Sequence, residues 1–266
     1  MPMPEYARIC PKMPDLRSRE VLRIRPGAQS PSGNDRTPVA GSCVVWWARR
    51  ETLRDCHRRL LTGPENERAD TYLNEDARLR FLLGAVMLRL AVAHAMGVRP
   101  GEIGIVRGCV QCGRQHGRPR LRDIALEVSV THAGDATAVA LTAVGRVGVD
   151  VECDALTDVE GLVGSVVAPA EARPASASEF LVLWTRKESV VKATGDGLTM
   201  PLTEVILGNA NGRPQVESYG GVPLTASVQD LRLAQEYTGA VTVLSPEPVA
   251  LEVRDATRLL GSAACS

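Results

Sequence analysis

The segment from Trp184 to Leu198 constrains the fold of this chain more than any other, because its residues repeat with the period of an α-helix. Residues four apart are neighbours on one helical face, so Trp184, Glu188 and Lys192 are predicted to form a stripe. Gly195 is typical of the residue at which a helix ends. A carboxylate beside an indole, one turn from an ammonium group, can act as a general base or bind a metal ion.

A second segment, Val147 to Glu152, alternates β-branched residues with others and is predicted to form a strand. Successive side chains of a strand point to opposite faces, so Asp150 and Glu152 share one face and the valines share the other. Two carboxylates on a strand and a third, Glu188, on a helix suit Mg²⁺, which prefers oxygen ligands. Taken singly, each element has a plainer interpretation: a solvated strand face, and a surface ion pair between Glu188 and Lys192.

The two segments together resemble the signature pair of the Sfp-type 4′-phosphopantetheinyl transferases. The pair consists of Gly148-Val149-Asp150-Val151-Glu152 and Trp184-x-x-Lys187-Glu188-x-x-x-Lys192-Ala193-x-Gly195. Weaker upstream matches are the strand end Val128 to Gly134, the turn His116-Gly117-Arg118-Pro119 and the helix that begins near Asn74. The resemblance covers residues 45–245 in the family's order, and the two motifs are specific as a pair.

The resemblance implies an enzyme that transfers the phosphopantetheine arm of coenzyme A to a serine of an apo carrier protein, leaving adenosine 3′,5′-bisphosphate. The acceptors would be acyl, peptidyl or polyketide carrier domains, and secondary metabolism is the expected setting. The implied cofactor is Mg²⁺, with Mn²⁺ as a substitute, bound by Asp150, Glu152 and Glu188. Glu188 would take the serine proton, directly or through a water, and Lys192 would donate to the departing phosphate.

The resemblance also implies a set of residues that bind coenzyme A. Arg118 would bind the 3′-phosphate, which a guanidinium group can hold through two hydrogen bonds, and His132 would contact the same phosphate. Lys187 either contacts phosphate or faces solvent, and one of Arg78 and Arg80 is expected to reach the nucleotide. The whole predicted set comprises Arg78, Arg80, Arg118, Thr131, His132, Asp150, Lys187 and Lys192.

The implied fold is of the α+β class, with two similar α/β lobes related by a pseudo-twofold axis, each an antiparallel sheet packed by a long helix. We expect a flexible N-terminal extension over 1–40, an N-terminal lobe over 41–146, a C-terminal lobe over 147–245 and a tail over 246–266. Helices are expected over 66–97 and 175–194, strands over 124–131, 137–143, 203–208 and 238–244, and a short helix over 251–260.

Composition restricts the remaining classes of function. The chain has 31 basic and 31 acidic residues, a balance that argues against nucleic-acid binding driven by bulk charge. The arginine-rich stretch from Arg49 to Arg59 is predicted to be the solvated face of an early helix. The apolar run 81–98 contains Arg89 and His94 and is expected to be too short and too charged to span a membrane.

Seven irregularly spaced cysteines, with no secretory segment near the N-terminus, predict a reduced, cytoplasmic protein; by resemblance it would be a monomer. The run Cys109-x-x-Cys112-x-x-x-His116 resembles half of a zinc knuckle, but a structural zinc site needs four ligands. Zinc binding, a role in shaping the turn that presents Arg118, and a nucleotide contact by His116 all stay open.

Two other classes of function compete with the transferase. A non-catalytic protein that binds coenzyme A or a carrier domain would not need the three carboxylates together with Lys192. Another Mg²⁺-dependent phosphotransferase would be expected to carry a glycine-rich phosphate-binding loop, and no G-x-x-x-x-G-K-[ST] motif occurs. The sequence therefore favours the transferase.

Overall fold

The computed structural model describes residues 41–108, 117–154, 159–210 and 212–263. The helices in these ranges are α1 (Gly63–Asp70), α2 (Glu75–Met96), α3 (Glu160–Val166), α4 (Ala177–Thr194) and α5 (Thr257–Ala263). The strands are β1 (Ser42–Arg49), β2 (Ile105–Val106), β3 (Arg120–Leu121), β4 (Glu127–Ala133), β5 (Ala136–Thr142), β6 (Val147–Cys153), β7 (Val205–Ala210), β8 (Arg213–Tyr219), β9 (Ser227–Arg232), β10 (Tyr237–Val243) and β11 (Ala250–Asp255).

Two main sheets organise these strands. The first has the order β11-β1-β5-β4 and the second the order β6-β10-β9, while β2-β3 and β7-β8 form separate two-stranded ribbons. Every pair is antiparallel except β1 with β11, which run parallel. The prediction of a mixed α/β fold with antiparallel sheets and long helices is therefore confirmed, and the pseudo-twofold axis stays a prediction.

The two sheets pack face to face, with a long helix on the outside of each. Along β1, Val44 and Trp46 join the apolar cluster formed with α2, whereas Cys43 and Val45 join a second cluster with the valines of β6 and β10. This alternation follows from the two-residue period of a strand. The resulting order of layers is α2, first sheet, second sheet, α4.

Helix α2 is the core helix of the first layer. Asn74 caps its N-terminus by accepting a hydrogen bond from Ala77 N, and Gly97 ends it in the left-handed conformation (φ 68°). Contrary to the expectation from sequence, α2 contains an 18-residue stretch that is long and apolar enough to span a membrane, with a mean hydropathy of 1.6. However, 78% of that stretch is buried inside the protein. Burial against the sheet accounts for its apolar character.

Three further expectations differ from the structure. The helix expected over 66–97 is interrupted between α1 and α2, and the arginine-rich stretch forms two 3₁₀ turns, Arg50–Thr52 and Asp55–Leu60, instead of one helix. The short helix expected over 251–260 is wrong in its first half, because β11 occupies Ala250–Asp255 and pairs with β1. Part of the predicted tail thus joins the first sheet as its edge strand.

Helix α4 lies unusually close to β6, and Gly148 permits the approach. A Cβ atom built on Gly148 would lie 2.0 Å from Ser189 O and 2.4 Å from Ala193 N. Both contacts are with helix backbone, which cannot rotate away as a side chain can. The hydroxyl of Ser189 on α4 lies 2.7 Å from the hydroxyl of Thr242 on β10, and this hydrogen bond joins the helix to the second strand of the sheet. Only glycine at position 148 allows this packing.

We predict that Gly148→Ala lowers the free energy of unfolding by about 3 kcal/mol or more, because the added methyl group must displace helix backbone. Gly164→Ala in α3 is the matched control, since a Cβ there meets nothing within 4 Å. That substitution should leave stability unchanged or raise it by up to about 1 kcal/mol. Urea denaturation of both variants is the measurement, and equal stabilities would contradict the packing described.

Candidate active site

The predicted helical stripe and the predicted strand face meet in the structure. Lys192 Nζ on α4 donates to Asp150 Oδ1 on β6 at 2.5 Å and to Thr131 Oγ1 on β4 at 3.1 Å. Thr131 Oγ1 in turn donates to Asp150 Oδ1 at 3.2 Å. Side chains from α4 and β4 therefore converge on one carboxylate oxygen of β6, and the Asp150 side chain is almost fully buried.

The other two carboxylates of the predicted site lie in the same electrostatic environment. Burial, with the negative charge of Asp150 next in size, raises the pKa of Glu152 to about 7, while Lys192 opposes the shift. The pKa of Glu188 is also raised, first by burial and then by Asp150. Trp184 offsets part of the shift of Glu188, although its buried Nε1 forms no hydrogen bond of ordinary geometry within the described residues.

Lys192 keeps its positive charge among these acids. Burial alone would lower the pKa of its ammonium group, but Asp150, Glu188 and Glu152 together outweigh burial and raise it. A protonated lysine beside two carboxyl groups with raised pKa values is an arrangement that can both accept a proton and stabilise negative charge. Perturbed groups of this kind are typical of functional sites.

Asp150, Glu152 and Glu188 are electrostatic neighbours, yet they do not form a ready-made metal cage. In the part of the chain that the structure describes, no group of three His, Cys, Asp or Glu side chains is arranged to hold a metal ion. Asp150 Oδ2, however, is buried and has no hydrogen-bond partner there. A buried carboxylate oxygen without a donor fits an additional cation, because such a group is costly unless it is paired.

His132 and Arg80 come together on the face of β4 and α2 opposite to Thr131. A Cβ built on Gly84, one turn after Arg80, would lie 3.1 Å from the His132 ring. His132 is exposed and lies on β4, at the edge of the first sheet. Desolvation there, followed by the charges of Lys192, Arg80 and Arg107, lowers its pKa to about 4. Its imidazole is therefore neutral near pH 7 and surrounded by cations.

Arg78 does not share this environment. It forms a two-point ion pair with Glu75 at 2.7 Å and lines a cavity together with the arginines that follow β1. Because residues two apart project from different sides of a helix, Arg78 and Arg80 face different regions. The structure thus separates the two predicted alternatives and groups Arg80 with His132.

Arg118 lies at the C-terminal end of α4. One of its terminal nitrogens donates to Lys192 O at 3.3 Å and Ala193 O at 3.2 Å, and the other pairs with Glu127 at 2.8 Å. Cations at a helix C-terminus interact favourably with the helix dipole. In this structure Arg118 links the β3–β4 region to α4, and any contact with a 3′-phosphate would require it to exchange some of these partners.

Lys187 occupies a structural position rather than the predicted phosphate-binding one. Its side chain is fully buried, and Nζ donates to Val166 O, Glu171 Oε2 and Leu202 O at 2.8, 2.5 and 3.1 Å. Glu171 also accepts from the backbone N–H groups of Ala168 and Leu207. All three ammonium protons are used, so the pair fixes the α3–α4 connection and the start of β7.

Glu171 is a partner of Lys187 that the sequence interpretation missed. A compositional signal was present. Lysine occurs in this chain only at positions 12, 187 and 192, and arginine supplies every other basic residue. An ammonium group can donate in three directions from one atom, which the planar guanidinium cannot match. Rarity of lysine therefore marks the two positions where its geometry is needed.

Two predictions about cysteines meet different outcomes. Cys109, Cys112 and His116 lie outside the described residues. Cys43 and Cys153 are free thiols, and burial raises the pKa of Cys43 to about 12, so its thiol stays protonated. Cys56 is disulfide-bonded, so the expectation of fully reduced cysteines is wrong at that position.

We predict that Glu152→Gln stabilises the metal-free protein at alkaline pH. The folded-state pKa of about 7 exceeds the ordinary value of 4.5, so the folded state loses stability as the pH rises from 4.5 through 7. At pH 8 in EDTA the variant should be more stable than the parent by roughly 1–3 kcal/mol, and at pH 4.5 the two should be equal.

Thermal unfolding across this pH range measures the difference. Glu217→Gln, at an exposed position on β8, is the control and should show no such pH dependence. A Glu152→Gln protein that is less stable than the parent at pH 8 without metal would contradict the electrostatic crowding described for the site.

Comparison with known proteins gives a consistent result. Residues 146–242 match the model of the 4′-phosphopantetheinyl transferase superfamily, a range that includes β6, α4 and the carboxylate cluster. A Synechocystis sp. protein provisionally named a 4′-phosphopantetheinyl transferase, slr0495, is 27% identical over 161 residues, covering 56% of this chain and 63% of the relative. The 4′-phosphopantetheinyl transferase HetI of Nostoc sp. is 27% identical over 150 residues, covering 52% and 61%.

The aligned part of the chain thus spans somewhat less than two thirds of each of these curated relatives. The match confirms the family resemblance seen in the two motifs, and the segment that matches holds the helix and strand on which the candidate site is built. Over residues 146–242 the chain is therefore similar to the 4′-phosphopantetheinyl transferase superfamily.

Proposed function

We propose that this protein transfers the 4′-phosphopantetheine group of coenzyme A to a serine hydroxyl of an apo carrier protein. One observation carries the proposal. Within the matched range, Lys192 of α4 contacts Asp150 of β6, while Glu152 and Glu188 lie close enough for their pKa values to be raised. This set can accept a proton and stabilise phosphate charge in one place.

A divalent cation, Mg²⁺ in our proposal and Mn²⁺ as a substitute, would be held by Asp150, Glu152 and Glu188 and would neutralise charge on the pyrophosphate. The fit rests on the donor set. Asp150 Oδ2 is buried without a hydrogen-bond donor among the described residues. Burial, followed by the negative charge of Asp150, raises the pKa values of Glu152 and Glu188, and a bound cation would stabilise the charged form of both. Carboxylate oxygens are the ligands that Mg²⁺ prefers.

The proton transfer follows from the position of Glu188. A serine hydroxyl becomes an effective nucleophile only as it loses its proton, and a carboxylate whose pKa is raised toward neutrality is a better base than an ordinary one. The serine oxygen would bond to the phosphorus that carries the pantetheine arm. The bond from that phosphorus to the bridging oxygen would break, and Lys192 would stabilise the departing phosphate of adenosine 3′,5′-bisphosphate.

The two faces of β4 suggest how the donor is held. Thr131 faces Asp150 of the second sheet and Lys192 of α4, whereas His132 faces Gly84 and the Arg80 side of α2. Phosphate groups of one nucleotide could thus occupy both sides of the strand end, with the pyrophosphate beside Lys192. The 3′-phosphate would then lie beside Arg80 and His132, where positive charge is concentrated.

The acceptors that we propose are carrier domains of polyketide or nonribosomal peptide synthesis, in addition to acyl carrier proteins, in the setting of secondary metabolism. The support for this breadth is the resemblance of the paired motifs to the Sfp type. We propose a monomer acting in the cytoplasm. A non-catalytic protein that binds coenzyme A or a carrier domain is the alternative, and turnover distinguishes the two.

We predict that intact-mass spectrometry will show addition of one phosphopantetheine group to apo carrier proteins incubated with this protein, coenzyme A and Mg²⁺. EDTA should abolish the reaction. Glu188→Gln should lower the rate by about 10²–10⁴-fold, the usual contribution of a general base. Glu217→Gln is the matched control and should react like the parent.

A panel of a fatty-acid, a polyketide and a peptidyl carrier measures acceptor breadth in the same experiment. Binding of coenzyme A without mass gain on any carrier would support the non-catalytic alternative. Full activity of a folded Glu188→Gln protein would exclude the assigned role of Glu188.

We further predict that Arg80→Gln weakens the binding of adenosine 3′,5′-bisphosphate by about tenfold or more, the loss expected for a charge-assisted hydrogen bond. Arg78→Gln, two residues earlier on the same helix, should bind the nucleotide like the parent. Isothermal titration calorimetry measures both. A larger effect at Arg78 than at Arg80 would contradict the separation of the two faces of α2.

A further inference from the structure

A cavity of about 320 Å³ lies between the N-terminal half of α2 and the 3₁₀ turns that follow β1. It is at the lower end of the range of about 300–1,000 Å³ that is typical of small-molecule sites. The carboxylate cluster, His132 and Arg80 are not among the residues that line it. The cavity is therefore separate from the site proposed for transfer.

The floor of this cavity is aliphatic. Leu79, Leu82 and Val86 form one stripe of α2, and Leu53 contributes from the opposite side. Leu82 and Val86 belong to the buried core of the first layer, while Leu53 and Leu79 are partly exposed. An apolar group seated here would cover the aliphatic surface of Leu53 and Leu79 that is now open to water, which favours binding.

The rim of the cavity is cationic. It consists of Arg50, Arg54, Arg58 and Arg78, with Asp55 as the acidic residue of the lining. Three of these arginines pair with Asp76, Asp70 and Glu75, whose side chains are 65%, 58% and 61% exposed. Pairs between exposed groups contribute little to stability, so a ligand anion can replace them at small cost.

Arg54 adds a cation that these pairs do not neutralise. Its side chain is exposed at the mouth of the cavity, and it has no carboxylate partner within the described ranges. A guanidinium group presents N–H donors in a planar fork that matches the two oxygens of a carboxylate. The aliphatic floor and the guanidinium rim together define the chemistry of the complementary ligand.

We propose that this cavity binds a small carboxylate with an aliphatic body, whose chain lies on Leu53 and Leu79 and whose carboxylate pairs with Arg54 and Arg78. The inference does not depend on the proposed transfer activity. Because Arg78 and Arg80 face different sides of α2, the carboxylate and the nucleotide bind independently at the two sites.

Octanoate is the probe, and 1-octanol, which has the same chain without the charge, is the matched control ligand. Ligand-observed NMR and calorimetry on the full chain should detect saturable octanoate binding with a Kd of about 1 mM or tighter, as expected for a ligand of this size. Octanol should bind at least about tenfold more weakly, because the arginines recognise only the carboxylate.

Variants locate the binding site. Arg54→Gln and Arg78→Gln should each raise the Kd for octanoate about three- to tenfold. Leu79→Glu, which places a negative charge where the aliphatic chain binds, should weaken binding by about tenfold or more. Arg59 is an exposed residue of the 3₁₀ turn Asp55–Leu60 that does not line the cavity. Arg59→Gln and Arg80→Gln should therefore bind octanoate like the parent. Circular dichroism and thermal unfolding confirm that each variant is folded.

The results that would overturn the proposal are equally specific. Absence of octanoate binding up to 10 mM, about ten times the expected Kd, would overturn it, and so would equal affinity for octanol. Unchanged affinity in Arg54→Gln and Arg78→Gln would also overturn it, as would displacement of octanoate by adenosine 3′,5′-bisphosphate. The last result would place octanoate in the nucleotide site. Loss of carrier modification in the transfer assay has no bearing on any of these outcomes.

Discussion

The close contact of α4 with β6 at Gly148 is the constraint on which the rest of the structure depends. Because position 148 has no side chain, the backbone of the helix reaches the strand, with Ser189 O only 2.0 Å from where a Cβ would stand. At that separation Lys192 can reach Asp150 while its aliphatic stem stays packed. The same helix buries Lys187 at a different angle, where it holds the α3–α4 connection through Glu171. One packing contact therefore sets both the charged cluster and its support.

The cluster that results is electrostatically unfavourable in the absence of a ligand. Burial and then the negative charge of Asp150 raise the pKa values of Glu152 and Glu188, and the charge of Lys192 opposes both shifts. Natural proteins tolerate such crowding where function requires it, at some cost in stability. The layered packing on either side, with valines of β6 facing the first sheet, holds these groups in place. A cation and a pyrophosphate would convert the repulsion into binding energy.

The sequence predicted the elements whose periodicity is strong and local. The two-residue alternation of β6 correctly placed Asp150 and Glu152 opposite the valines, and the 3.6-residue period of α4 correctly aligned Glu188 with Lys192. Periodicity predicts which side of an element a residue faces but not how deeply its side chain is buried. The burial of Lys187 and its pairing with Glu171 therefore could not be derived from the sequence. The strand β11 was missed because its partner β1 is about 200 residues away in the chain, and pairing at that separation leaves no local signal. Arg78 and Arg80 could be separated only once the register of α2 was known.

The proposed transfer site lies at a single place, where α4, β6 and the end of β4 meet. A crystal structure with coenzyme A and Mn²⁺, using the anomalous signal of the metal, tests this claim most directly. We expect a metal peak coordinated by Asp150, Glu152 and Glu188. The pyrophosphate should lie beside Lys192, and the 3′-phosphate should lie toward Arg80 and His132. Coenzyme A bound elsewhere, or a metal whose protein ligands exclude these carboxylates, would contradict it.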